Sequence, residues 1–145
     1  MTRFRIWVLG TMMLAVATSG AVLANPAANP FKGGGKNTIT GGGGGTLTAS
    51  GSGQATHLGN YTRTEALTFS SPVDFTGWVR FVAADGDELR CDTTGQFVSV
   101  TEAVGTYVIT GGTGRFAHAA GVAQFSAVLT SAGTFDVTFD GTVDR

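Results

Sequence analysis

His57, Tyr61, Arg63 and Glu65 fall on odd-numbered positions of one threonine-rich stretch of this 145-residue chain. Alternate residues of an extended strand point to the same side. A strand running through them would gather an imidazole, a phenol, a guanidinium and a carboxylate on the face that also carries Leu67 and Phe69. Such a face has two uses. Lining a cavity, Tyr61 and Arg63 would hold a ligand, and His57 or Glu65 would exchange a proton with it as the candidate catalytic pair. If a bulge near Gly59 shifts the register, the same side chains face water. Buried charges are costly unless paired, so the water-facing arrangement is the expected one and the cavity its alternative.

The other reactive side chains are scattered. Cys91 is the single cysteine and cannot form an intramolecular disulfide. It sits on the apolar side of its segment, where it is expected as an inert buried hydrophobe, with a ligand-lining role beside Tyr61 and Arg63 as the alternative. His118 is expected on the surface, and two histidines without a shared short spacing make no metal site. Asp85, Asp87 and Glu88 crowd around Gly86 but lack the ordered alternation of a calcium loop. No serine-centred nucleophile elbow and no phosphate loop is present. No metal and no cofactor are expected.

The elements that would position these residues are strands. Phe135, Val137, Phe139 and Val143 alternate with Asp136, Thr138, Asp140 and Thr142, and Leu89, Cys91 and Thr93 alternate with Glu88, Arg90 and Asp92. Period-two patterning of this kind marks half-buried strands. Turn signals recur at Ser71-Pro72, Asp85-Gly86, Gly111–Gly114 and Ala132-Gly133. Strands are expected near 46–52, 54–70, 73–84, 87–98, 103–110, 120–130 and 134–143, the second either one strand or two broken at Gly59. An all-β chain with so many consecutive strands removes its edges by closing. The expected fold is a single closed antiparallel barrel of about eight strands over 46–145, with little or no helix.

Two segments precede it. Arg3 and Arg5, the apolar run from Ile6, and Val22-Leu23-Ala24 have the layout of a secretory signal peptide over 1–24. Residues 25–45, with Gly33-Gly34-Gly35 and the run Gly41–Gly45, are expected as a flexible glycine-rich linker. The expected location is outside the cytoplasm, periplasmic or secreted. Without Arg3 and Arg5 the chain has seven basic against ten acidic residues. That balance argues against nucleic acid as a partner. Asp136, Asp140, Glu88 and Arg90 on the outward side argue against membrane insertion of the mature barrel.

One stretch is distinctive. Gly111-Gly112-Thr113-Gly114-Arg115-Phe116-Ala117-His118-Ala119-Ala120-Gly121 resembles the glycine-rich turn of the plant dirigent proteins and the wider allene oxide cyclase-like barrel group. Gly53-Gln54-Ala55-Thr56-His57-Leu58-Gly59 is similar to a stretch of exported bacterial proteins with such barrels. The resemblance implies an eight-stranded antiparallel barrel, often trimeric, with a cavity. The glycines of the turn permit positive φ, which lets Phe116 plug the barrel end. Some members of that group steer radical coupling and others isomerise an epoxide. The motif is a structural turn, and no catalytic residue of either plant group maps onto this sequence. The functional expectation is a small exported barrel that binds a small hydrophobic ligand or an envelope partner. The alternatives are a cofactor-free isomerase or cyclase of the allene oxide cyclase-like type and a structural envelope protein. Trp78, Val82, Val108, Val122 and Val128 on the outward side suggest a homo-oligomer, a trimer by resemblance. Light scattering that gave a monomer at micromolar concentration would remove that expectation.

Overall fold

A computed structural model describes residues 29–145. The proposed signal segment lies outside them. Eight strands follow in chain order: β1 Asn29–Gly43, β2 Thr46–Ala55, β3 Gly59–Phe69, β4 Asp74–Val82, β5 Glu88–Phe97, β6 Glu102–Gly112, β7 Ala120–Ser131 and β8 Thr134–Asp144. Each pairs antiparallel with the next, and β1 pairs with β8, so the sheet closes into a barrel. The one helical element among the described residues is a single 3-10 turn, Gly114–Phe116, between β6 and β7. The expected barrel is therefore observed, and the run through 54–70 is two strands separated by a turn.

The linker expectation for 25–45 is corrected over 29–43. That segment is β1, and it hydrogen-bonds to β2 along one edge and to β8 along the other. The glycines there serve close approach. A Cβ on Gly34 would stand 2.7 Å from the Val137 carbonyl oxygen, and a Cβ on Gly53 of the facing strand 2.7 Å from the Tyr61 hydroxyl. The entropy lost in ordering glycine is offset by the two ladders and by Phe31, which is fully buried against Phe139 and Phe81.

The inward face is the odd-numbered one on almost every strand. Its lower half is filled by rings. Phe81 lies 5.1 Å from Tyr61, 5.4 Å from Phe139, 6.0 Å from Phe31 and 6.1 Å from Tyr107, centroid to centroid. Two residues outside the alternation cap this end. Phe116 projects from the 3-10 turn and is fully buried, as the glycine-rich motif implied. Leu58 turns inward because His57 and Gly59 on either side adopt left-handed backbone, at φ 65° and 67°. Arg115 fastens the cap from outside. Its Nε donates to Asp85 Oδ2 at 2.8 Å, its backbone N–H donates to Asp87 Oδ2 at 3.2 Å, and its Nη1 donates to the His57 carbonyl at 2.5 Å. The hydrogen bond from Arg115 also holds the Asp85 carboxyl below its ordinary value.

Candidate functional site

The upper half of the barrel is less completely filled, although its rings also touch, Phe69 lying 5.5 Å from Phe75 and 6.2 Å from Phe97. Phe69, Phe75, Phe97, Phe125 and Phe135 stand around an open chamber whose mouth lies among the 43–46, 69–74, 97–102 and 131–134 connections. About 60 Å³ is open to the centres of water molecules, and about 550 Å³ is empty when the open mouth is included. The space exists because small residues alternate with the rings. A Cβ on Gly95 would stand 2.7 Å from Phe75 Cζ, and one on Gly105 2.6 Å from Phe125 Cε2. Ala103 and Ala127 line the wall between the larger side chains.

The chamber floor is charged. Arg63 and Glu65 sit two residues apart on β3, face inward together, and form an ion pair with Arg63 Nη2 donating to Glu65 Oε2 at 2.9 Å. Their side chains are 2% and 5% exposed. The expectation that these residues face water is thus overturned. The bulge that would have flipped them is absent, because the irregularity is absorbed in the turn at 56–58, before β3 begins. The pair makes the burial of both charges tolerable. The guanidinium carbon lies 5.6 Å from the Phe81 ring centroid and 5.5 Å from that of Tyr107. This is a cation–π setting that places Arg63 at the boundary between the packed half and the chamber.

Arg63 Nε and Nη1 are sealed from solvent, as are the hydroxyls of Tyr61 and Tyr107 and both side-chain polar atoms of Asn37. The Tyr107 hydroxyl lies against the Arg63 guanidinium, close enough for each to shift the other's pKa through charge and hydrogen bonding. Burial works to lower the Arg63 pKa, and the neighbouring Tyr107 and Glu65 outweigh it, so Arg63 stays above its ordinary value. Burial pushes the Tyr107 and Tyr61 hydroxyls up, and Arg63 opposes it in both. Asn37 carried no signal in the sequence. It lies in what reads as linker, directly opposite Gly51, which is itself opposite Arg63.

The five singled-out residues therefore divide. Arg63 and Glu65 line the chamber, and Tyr61 lies deeper, in the packed half. His57 does not join them. It sits in the capping turn at the opposite end, partly exposed, with its pKa lowered chiefly by desolvation and by Arg145. Cys91 is buried in the wall of the packed half and does not line the chamber. Burial pushes its thiol up to about 12 from 9.0. At pH 8 that leaves about a thousandfold less thiolate than an unperturbed thiol would have. Alkylation of the folded protein is expected to be slower than in urea by at least that factor. Labelling within minutes at equal rates in both would contradict the burial. For an acid raised in the fold, the stabilisation is complete below pH 9. It declines as pH rises from 9 towards 12, so unfolding in alkali is expected in that window.

The remaining candidates are occupied elsewhere. Asp85 and Asp87 face Arg115, and Glu88 pairs with Arg90 at 3.0 Å. His118 is exposed. On the outer wall Trp78, Val108, Val122 and Val128 are each more than two-fifths exposed.

No protein family and no curated protein matches this sequence. Among solved structures, that of the pterocarpan synthase dirigent protein GePTS1 is similar, with a TM-score of 0.53 and 16% identity over 83% of this chain and 87% of that one. At that identity the likeness concerns the path of the chain. The chain shares with that dirigent protein the fold of an eight-stranded antiparallel barrel.

Proposed function

We propose that this is an exported binding protein that takes one small hydrophobic ligand into the open half of its barrel. The observation that carries the reading is the division of the interior. One half is packed with rings and capped by Phe116 and Leu58, while the other is a phenylalanine-lined chamber open at its mouth. A concave apolar site with a few convergent polar groups is the usual form of a small-molecule site. A barrel filled along its whole length would have favoured a structural envelope role.

Titration with the neutral dye N-phenyl-1-naphthylamine tests it. Saturable one-site fluorescence enhancement is expected. Ala127→Trp places an indole in the chamber and should weaken binding at least tenfold, with the melting temperature close to that of the parent. Unsaturable enhancement, or an Ala127→Trp variant that binds as well as the parent, would reject the chamber as the site.

Glu65 favours a second reading, a cofactor-free isomerase or cyclase. It is a carboxylate lining an apolar chamber, where a base is partly stripped of water. His57 supplies nothing to such a reaction from the other end of the barrel. Turnover that survives Glu65→Gln undiminished would remove this reading.

A further inference from the structure

One carboxylate oxygen at the chamber floor restricts which hydrophobic ligand fits, given the binding role proposed above. Glu65 Oε2 accepts from Arg63 Nη2, so the pair carries no net charge. Glu65 Oε1 has no partner among the described residues and, unlike Nε and Nη1 of Arg63, is not sealed from solvent. Glu65 is otherwise buried and lines the chamber, so that oxygen is presented to whatever enters.

An ionised carboxylate accepts hydrogen bonds and donates none. An ether or ketone at the floor therefore gains nothing from Glu65, and the remaining guanidinium nitrogens are out of its reach. A second carboxylate would stand beside Glu65 in a site walled by phenylalanines, where like charges repel strongly. An ammonium would be a second cation on a carboxylate that Arg63 already neutralises, and would leave a net charge in an apolar chamber. A neutral hydroxyl donates one bond to Oε1 and adds no charge. Hydrogen bonds to an ionised acceptor are among the stronger ones. The rest of the wall is apolar apart from Thr101 near the mouth, so it suits a hydrocarbon body.

We infer that the ligand is an apolar alcohol that enters hydroxyl first and donates to Glu65 Oε1. Probes built on one alkyl chain separate the alternatives. They are 1-octanol, its isomer 1-methoxyheptane, octylammonium and octanoate, each displacing the neutral dye from the intact protein at neutral pH. The ratio of alcohol to ether affinity is the quantity read, since it cancels the general affinity of the chamber for an alkyl chain. In the parent the alcohol is expected to bind more tightly than the ether by about tenfold or more. In the Arg63→Met/Glu65→Leu double variant, which exchanges the pair for apolar side chains, that ratio is expected to fall to about one or below, because the hydroxyl then loses water and gains no partner. The parent ratio is a readout that needs no variant.

A parent ratio of one or less, or a ratio equal in parent and variant, would overturn the inference while leaving the chamber as a binding site. Tighter binding of octylammonium than of 1-octanol would overturn it in favour of a cation site, and tighter binding of octanoate in favour of an anion site. Failure of all four probes and of the dye to bind would remove the binding role itself, and the inference with it.

Discussion

Glu65→Leu alone is expected to destabilise the fold by about 3–5 kcal/mol, and Arg63→Met alone by a similar amount, because each leaves the other charge buried and unpaired. The double variant should lie within about 1 kcal/mol of the parent or above it, since exchanging a buried pair for apolar groups of similar volume is often neutral or stabilising. The geometry behind this is one 2.9 Å hydrogen-bonded contact between side chains almost wholly removed from solvent. Urea unfolding of the four proteins, arranged as a double-mutant cycle, would measure a large coupling. A cost below about 1 kcal/mol for Glu65→Leu would mean that the pair is solvated, as exposed ion pairs are. The surface pair Lys36–Asp136, 2.8 Å long with side chains 65% and 52% exposed, provides that contrast within the same barrel. Breaking it should change stability little.

The consequence for function is direct. If the double variant is at least as stable as the parent, then the charged floor is not there to hold the barrel together.

Phe31→Ala is expected to cost about 3–5 kcal/mol, the range for deleting a fully buried aromatic ring. Phe31 is the one large side chain that β1 contributes to the packed half, and it meets both Phe139 and Phe81. Without its anchor, β1 is held mainly by ladders that run through glycines, and β2 and β8 would become open edges. Denaturant midpoints for Phe31→Ala and for an exposed control, Val100→Ala, decide the matter. The control should stay within about 0.5 kcal/mol, as surface changes usually do. A flexible linker at this position would make Phe31→Ala as silent as the control.

The contrast between β8 and β1 shows what could be read from residues alone. Phe135, Val137 and Phe139 alternate with polar partners, and that period-two signal is local, so the strand and its buried side were legible before any fold was known. The same holds for Cys91 on the inward side and for Phe116 as a plug. β1 has no such signal. Gly33, Gly34 and Gly35 carry no side chains, so neither pattern nor propensity distinguishes a chain that is free from one whose neighbours need it bare. The need for glycine arises across strands, from the Tyr61 hydroxyl over Gly53 and the Val137 carbonyl beside Gly34.

The direction of Arg63 and Glu65 was a question of register, and a one-residue shift reverses every side chain of a strand. Residue types favoured the outward choice, because a lone buried charge is expensive. They could not show that the two charges would neutralise each other at a distance fixed by the strand. His57 was lost from the cluster for a related reason: one left-handed residue moved the turn to 56–58 and sent the imidazole to the capped end. Alternation along a strand is written in consecutive residues, whereas which strands meet, how they are offset and where their interior stays empty depend on contacts between residues far apart in the chain.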